Sequence, residues 1–225
     1  MKGISLFSGM GGDTLGMKMA GVDVIGYSEI DKKFCETHEK NFPESKIIGC
    51  GNILKTPDEA FETYNGGVDI IFAGFPCQGF SQAGKKLPDD PRNTLFREFL
   101  RATKLVNPKY IIGENVKGLL KRKNKDGGFY IDIIKSEFEA LGYTIYTKVM
   151  KTCNYGIPQK RERLIIVGIK SDIDNGYVFP EERPDTNNLY DIVKFSMEGA
   201  LKITPTDFDM TQVPDECILK NMEND

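Results

Sequence analysis

The sequence Asp69-Ile-Ile-Phe-Ala-Gly-Phe-Pro-Cys-Gln-Gly-Phe-Ser81 begins as an apolar run and ends as a loop that carries a cysteine. The run from Asp69 to Phe75 is typical of a buried strand in a parallel sheet, and Pro76 ends it. Cys77 therefore stands at the carboxyl end of that strand, where open α/β sheets bind their ligands. Two interpretations of Cys77 stay open: a thiol nucleophile, or a small apolar side chain in the core.

The composition fits one globular domain with a sizeable core, since 40% of the 225 residues are hydrophobic and 28% are charged. The sequence shows no apolar run of about 18 residues and no basic-then-apolar leader, so we expect neither a membrane span nor a membrane partner. Five widely spaced cysteines without a Cys-x-x-Cys pair argue against a disulfide framework and against a metal site. We therefore expect an intracellular protein, cytoplasmic if its source is prokaryotic.

Charge is distributed unevenly along the chain. Residues 1–170 hold 26 Lys and Arg against 20 Asp and Glu, whereas residues 171–225 hold 4 against 13. A moderately basic body suits a polyanionic partner, although ordinary soluble domains vary as much. The basic stretch 117–125 fits either a solvated loop or contacts with phosphates. His38 is the only histidine, so we expect no histidine-based catalysis and place His38 on an exposed helix face.

The beginning of the chain predicts a strand, a glycine turn and a helix. Residues 3–7 fit the strand, Ser8-Gly-Met-Gly-Gly12 the turn, and residues 13–20 the helix. Glycines at this position let the backbone approach a ligand and leave amides free at the helix start, although many such turns serve shape alone. A second strand over 22–28 ends at Glu29, where nucleotide-binding folds place a carboxylate for the ribose hydroxyls. Turn and carboxylate together favour a nucleoside-type cofactor.

The rest of the pattern alternates helices and strands, which predicts a mostly parallel α/β sheet. Helices are predicted over 31–41, 57–64, 94–106 and 128–141, and strands over 47–48, 69–75, 110–113, 143–151 and 163–169. Glu114 follows the strand that is expected beside the one leading to Cys77, so both side chains are expected in one pocket. Arg161 and Arg163 point the same way if their segment is extended. Taken alone, such a pair is more often a surface salt-bridge face.

Five segments in this order resemble the catalytic domain of the cytosine-5 DNA methyltransferases over roughly residues 3–170. The segments are Phe7-Ser-Gly-Met-Gly-Gly12, Glu29, Pro76-Cys-Gln-Gly-Phe-Ser81, Glu114-Asn-Val116 and Gln159-Lys-Arg-Glu-Arg163. The resemblance implies a Rossmann-like S-adenosylmethionine-dependent methyltransferase fold, with a mostly parallel seven-stranded sheet and helices on both faces. It also implies transfer of a methyl group from S-adenosyl-L-methionine to carbon 5 of cytosine in DNA, in a restriction-modification system.

The same resemblance gives roles to the catalytic positions. Cys77 would attack carbon 6 of a flipped-out cytosine, and protonated Glu114 would hydrogen-bond ring nitrogen 3. Arg163 would contact oxygen 2 of the ring, and Arg161 would hold the target or Glu114 in place. Asn115 would fix the base of the catalytic loop. The substrate-binding positions implied in this way are Gln78, Ser81, Lys85, Asn115 and Gln159.

On the cofactor side, Glu29 would bind the ribose and Ile30 would cover one face of adenine. The full set of implied cofactor positions is Phe7, Gly9, Gly11, Gly12, Glu29, Ile30, Asn52, Ile53, Pro76 and Leu95. Asn52 departs from the family, which usually has an aspartate there that accepts from the adenine amino group. An asparagine oxygen still accepts but carries no charge, so we expect the cofactor still to bind, with a lower affinity.

A second departure lies beyond residue 170. The family continues with a target-recognition domain and a final segment that returns to the catalytic domain, and neither is evident here. We therefore divide the chain into a methyltransferase domain, 1–170, and an acidic extension, 171–225, which fits the start of an incomplete recognition region. The chain would be a fragment, or a module that a second polypeptide completes. Two other functions stay open, namely methylation of tRNA cytosine and non-catalytic binding by a protein that keeps the fold.

Overall fold

Residues 1–76, 95–124 and 127–183 are described by the structure, a computed structural model of the chain. All of them belong to one compact unit, Met1–Asn187. The predictions for Cys77, Gln78, Ser81 and Lys85 lie outside the described residues. The division of the chain at residue 170 stays a prediction.

A seven-stranded sheet forms the centre of the described fold. Its strands are β1 (Lys2–Leu6), β2 (Asp23–Ser28), β3 (Lys46–Ile47), β4 (Ile70–Ala73), β5 (Tyr110–Val116), β6 (Tyr143–Lys151) and β7 (Glu162–Lys170). Their spatial order is β3-β2-β1-β4-β5-β7-β6. The first five strands pair in parallel, and β7 runs antiparallel to both β5 and β6. The mostly parallel α/β sheet predicted from the sequence is confirmed.

The helices follow from local sequence signals. They are α1 (Gly12–Met19), α2 (Lys32–Asn41), α3 (Asp58–Glu62), α4 (Phe96–Val106) and α5 (Tyr130–Glu139), with 3-10 turns at Lys117–Lys121 and Thr152–Tyr155. Asp31 caps α2, because its carboxylate accepts from the amides of Lys33 and Phe34. α4 buries an apolar face that begins with Phe96 and Phe99. Among the described helices, none is long and apolar enough to cross a bilayer.

Two apolar clusters lie on opposite faces of the sheet. The larger cluster contains Phe99 of α4, Phe138 of α5 and Ile71 of β4. The smaller one contains Met17 of α1 and Ile70 of β4. Ile70 and Ile71 are consecutive, and side chains alternate along a strand, so helices pack against both faces.

β5 is longer than the sequence pattern predicts. The apolar run ends at Gly113, but the strand continues to Val116 because β7 pairs with it there, with Glu114 opposite Ile165. Glu114 therefore lies within a paired strand and not in the loop after it. This extension depends on a partner about fifty residues away, which local patterning does not show.

His38 is fully buried, so the expectation of an exposed position is wrong. Its ring stacks on Tyr27 with the ring centroids 3.8 Å apart, and its Nε2 lies 2.9 Å from the Thr14 hydroxyl. Burial lowers the pKa of His38, which favours the neutral imidazole that suits this packing. His38 is the buried residue of α2, and it takes the place that an apolar residue would usually fill against the sheet.

Candidate active site

The carboxyl ends of four parallel strands form one edge of the sheet. Leu6 of β1 is in register with Ser28 of β2 and Ala73 of β4, and Ala73 is in register with Gly113 of β5. The residues that follow these positions, among them Phe7, Glu29 and Glu114, therefore meet at this edge. The sheet brings together predicted site residues that are far apart in the sequence.

The glycine turn is fastened to the end of β2. The Ser8 amide donates to the Ser28 carbonyl at 3.0 Å, and the Gly9 amide donates to Glu29 Oε2 at 2.8 Å. Phe7 has a φ of 58°, which is costly for a residue with a Cβ and is typical of functional turns. Gly11 precedes α1 with a φ of 95°, which a side chain rarely adopts. The backbone of this turn is therefore held close to the Glu29 carboxylate.

Glu29 is held in place by backbone amides. Oε1 accepts from the amides of Ile30 and Asp31 at 2.8 Å each, and Oε2 accepts from Gly9. Because each carboxylate oxygen has room for about two hydrogen bonds, Oε2 can still accept from a ligand hydroxyl. This geometry fits the ribose-binding role that the sequence predicts for Glu29.

A cavity of about 110 Å³ lies beside Glu29. It is lined by Phe7, Ser28, Glu29, Ile30, Gly51, Asn52, Ile53, Leu54, Pro76 and Leu95. The predicted cofactor positions other than the three glycines all contribute to this lining. Ile30 and Leu54 are largely exposed and offer apolar surface to a flat ring. The residues present therefore fit a nucleoside, with apolar walls for the base and a carboxylate for the sugar.

The side chain of Asn52 is partly engaged already. Its Oδ1 accepts from the Leu54 amide at 3.1 Å, so one lone pair is left for a ligand donor.

Glu114 is contacted by both predicted arginines. Arg163 Nε lies 2.7 Å from Glu114 Oε1, and Arg161 Nη2 lies 3.5 Å from the same oxygen. The Glu114 side chain is 27% exposed, and within the described part of the chain its Oε2 has no hydrogen-bond partner. The arrangement leaves one carboxyl oxygen for a ligand and fixes the other.

Asn115 and Gln159 differ in their surroundings. Asn115 is buried, and its Nδ2 donates to the Phe75 carbonyl at 3.1 Å while its Oδ1 accepts from the Val116 amide at 2.8 Å. It therefore ties β5 to the segment just before Pro76. The Gln159 carbonyl accepts from the Thr152 hydroxyl, and the Gln159 side chain is exposed.

Comparison with known proteins gives the family. A profile for C-5 cytosine-specific DNA methylases matches residues 1–221. The chain belongs to this family. Type II methyltransferase M.Eco47II of Escherichia coli is 43% identical over 195 residues, which cover 85% of this chain and 45% of that protein. Type II methyltransferase M.FnuDI of Fusobacterium nucleatum is 36% identical over 231 residues, which cover 99% of this chain and 62% of that protein.

A solved structure shows the same fold. A provisionally assigned DNA modification methyltransferase from an Escherichia coli prophage superposes with a TM-score of 0.70 at 30% identity, covering 85% of this chain and 53% of that one. The methylase family and the methyltransferase fold expected from the sequence are both confirmed. The chain spans about half the length of the curated relatives it matches.

Sequence reasoning missed the contact between Asp13 and Ser5. Asp13 lies in the first turn of α1, and its Oδ2 accepts from the Ser5 hydroxyl, which is itself 2.6 Å from the Ser8 hydroxyl. Burial raises the pKa of Asp13, the nearby charge of Glu114 adds to this, and the Ser5 hydroxyl and local amides offset part of it. An acid at a helix start usually indicates only a favourable helix dipole. Only the fold shows that this one lies over β1.

Proposed function

We propose that the chain is the catalytic part of a DNA cytosine-5 methyltransferase that methylates a flipped-out cytosine. The observation that carries the proposal is the meeting of Glu114, Arg161 and Arg163 with the Glu29 cavity at one sheet edge, beside the strand that leads to Cys77. The names of the two curated relatives, both Type II methyltransferases, support a restriction-modification setting inside the cell.

The cavity residues would hold the cofactor. S-adenosyl-L-methionine supplies an electrophilic methyl group when it is bound. Glu29 would accept the ribose hydroxyls, and Ile30 and Ile53 would contact the faces of adenine. Asn52 would accept from the adenine amino group with its remaining lone pair. The glycine turn would let the backbone come close to the ligand.

Glu114 and Cys77 would activate the cytosine. Carbon 5 is a poor nucleophile until a thiolate adds to carbon 6 and pushes electron density towards it. Cys77 would form that bond while Glu114, protonated at Oε2, passes its proton to ring nitrogen 3 and so neutralises the ring. Arg163 holds Oε1 and would thereby aim Oε2 at the base. After methyl transfer, a water would take the carbon-5 proton, the bond to Cys77 would break with its electron pair returning to the sulfur, and ring nitrogen 3 would return its proton to Glu114.

A further polypeptide is proposed to complete the enzyme. On the α1 side of the sheet, the apolar side chains Phe72, Tyr110 and Ile112 are only partly buried. Partly exposed aromatic and aliphatic groups on a sheet face are typical of a surface that another element covers. We infer that a second polypeptide supplies target recognition and packs on this face.

Incubation with tritiated S-adenosylmethionine tests the proposed function. The chain is assayed alone and together with the polypeptide encoded beside it, on cytosine-containing duplexes and on tRNA. We expect label in duplex DNA, and a covalent adduct on a 5-fluorocytosine duplex that Cys77→Ser abolishes. Label in tRNA alone would indicate that tRNA, and not DNA, is the substrate. Absence of both label and adduct under all conditions would refute the proposal.

A further inference from the structure

His38 lies between the glycine turn and the end of β2, the two segments that build the proposed cofactor site. On one side its ring stacks on Tyr27, two residues before Glu29, with the ring centroids 3.8 Å apart. On the other side its Nε2 lies 2.9 Å from the hydroxyl of Thr14 in α1. Gly11 packs directly on the same ring, since a Cβ at Gly11 would lie 2.9 Å from His38 Cδ2. The imidazole therefore supports both segments of the site.

The surroundings of His38 suit a neutral ring and not a charged one. The side chain is fully buried, and Nδ1 is shielded from solvent without a hydrogen-bond partner in the described part of the chain. The neutral ring fits when Nε2 donates to Thr14, because Nδ1 is then a bare nitrogen. Protonation would add an N–H at Nδ1, and a buried cation with an unpaired donor is costly.

Charged groups around His38 reduce this cost only in part. Those that face it are mostly carboxylates, namely Glu29 after β2, Glu39 in α2 and Glu44 after α2. Their charge raises the pKa of His38, but burial outweighs it and the pKa is lowered. Two of these groups have other partners: Glu39 accepts from the Tyr27 hydroxyl at 3.0 Å, and Glu44 pairs with Lys18 of α1.

We propose that neutral His38 holds the glycine turn in its binding geometry, so that a proton on His38 and the cofactor exclude each other. The inference rests on the proposed function, since it concerns the same cofactor. A protonated ring has to leave its buried place to find an acceptor for Nδ1, and Gly11 and Thr14 rest on that ring. A bound cofactor fixes the turn and thereby keeps the ring neutral, because such coupling acts equally in both directions. His38 is thus a positioning residue that makes cofactor affinity depend on pH.

Nuclear magnetic resonance of the untagged full chain tests this coupling directly, because His38 is the only histidine. Its ring signals are followed from about pH 8 to about pH 5, with and without saturating S-adenosylhomocysteine, across the range in which imidazoles titrate. We expect the ligand to lower the pKa of His38 further. Calorimetry should show an affinity that is constant at the alkaline end and falls below the pKa of the free chain, by up to about tenfold for each pH unit.

His38→Phe tests whether His38 is the source of this pH dependence. The variant keeps an aromatic ring between Tyr27 and Phe42 but cannot take up a proton. We expect its affinity for S-adenosylhomocysteine to stay constant over the same range, so that it binds more tightly than the wild type at the acid end. Glu36→Gln, at an exposed position of the same helix, is the matched control and should keep the pH dependence of the wild type.

Three results would overturn the inference while the proposed function stands. They are binding of S-adenosylhomocysteine without a change in the pKa of His38, a pH dependence that His38→Phe retains, and a free chain in which His38 stays neutral throughout the range. A wild-type chain that does not bind S-adenosylhomocysteine even at the alkaline end overturns the proposed function and the inference with it. If His38→Phe does not fold, the two titrations of the wild type decide alone.

Discussion

At Glu114, one carboxyl oxygen receives both arginines and the other receives none among the described residues. This asymmetry gives the two oxygens different tasks. Arg163, at 2.7 Å, fixes the orientation of the carboxyl group, and in the proposed function the second oxygen would face the base. A proton-donating group that is held in this way does not need to reorganise when charge develops on the ring.

Glu114→Gln tests the role of the proton at Glu114. The amide can donate a hydrogen bond to ring nitrogen 3 but cannot pass a proton to it, so the ring would keep its charge. We expect methyl transfer to fall about a hundredfold or more, with unchanged affinity for S-adenosylhomocysteine. Single-turnover kinetics measure the first quantity and calorimetry the second. Glu162→Gln removes a carboxylate that pairs with Lys117 at the surface, and it should keep nearly full activity. Equal losses in both variants would contradict the assignment.

Asp13 should make the stability of the chain depend on pH. Burial raises its pKa above the ordinary value of 3.8, so the folded chain holds this proton more tightly than the unfolded chain. The contribution to stability is therefore present at a pH below 3.8 and is lost as the pH rises through the raised pKa. Glu114 is the charged neighbour that adds to the effect.

Asp13→Asn removes that titration. We expect the variant to gain stability relative to the wild type between pH 4 and pH 7, measured by urea unfolding. The exposed control Asp23→Asn should follow the wild type. A difference from the wild type that does not change with pH would rule out titration of Asp13 as the cause.

The sequence predicts much of the site at the level of single residues. Phe7, Glu29 and Ile53 line the cavity as the family pattern implies, because short motifs next to strand ends specify them locally. Asp13 and His38 could not be placed in this way. Their burial depends on which residues of α1, α2 and β1 meet across the sheet, and this is a property of the packed fold.

At the level of elements, two neighbouring glycines of the turn between β1 and α1, Gly11 and Gly12, differ in the space available for a side chain. A Cβ on Gly11 would lie 2.4 Å from a ring carbon of Phe42 and 2.9 Å from His38, on a backbone with a φ of 95°. A Cβ on Gly12 would meet nothing within 4 Å. Only the first glycine is therefore required by packing as well as by conformation.

Gly11→Ala and Gly12→Ala form a matched pair for this turn. We expect Gly11→Ala to lower the free energy of unfolding by about 2–4 kcal/mol, from overpacking together with the strained φ. Gly12→Ala should be neutral or stabilising by about 0.5–1 kcal/mol, since alanine restricts the unfolded chain. Urea unfolding monitored by circular dichroism measures both values. Similar losses in the two variants would contradict the packing explanation.

The elements themselves were largely predictable, because periodicity and helix-capping residues are local. The bounds of β6 agree with the sequence prediction, and those of α2 agree within one residue. The end of β5 was not predictable, since it is set by pairing with β7. Glu114 was expected after the strand for that reason.

At the level of the whole molecule, the charge balance of +6 over residues 1–170 suits contact with a nucleic acid backbone. Lys121 is exposed at the end of the turn that follows β5, on the same edge as Glu114. Lys2 is exposed at the opposite edge, at the start of β1. These two lysines allow the direction of approach of a duplex to be tested.

Binding of a short duplex should weaken as salt rises. On a logarithmic plot, the affinity should fall with a slope of about −0.9 for each neutralised phosphate. We expect Lys121→Gln to make this slope shallower by about one, and Lys2→Gln to leave it unchanged. Fluorescence anisotropy at several salt concentrations gives the slopes. A larger effect at Lys2 would place the nucleic acid on the wrong edge for the proposed site.

The antiparallel pairing of β5 with β7 has a consequence for how this family can diverge. Glu114 lies opposite Ile165, and Val116 lies opposite Arg163. Because Glu114 is two positions from Val116 and Arg163 is two positions from Ile165, the side chains of Glu114 and Arg163 share one face of the sheet. Insertion of one residue within either strand would move the following side chains to the opposite face of the sheet. The carboxyl group or the guanidinium group would then point towards the apolar helices. Evolution can lengthen the connections outside these strands freely, whereas β5 and β7 themselves must keep the same number of residues.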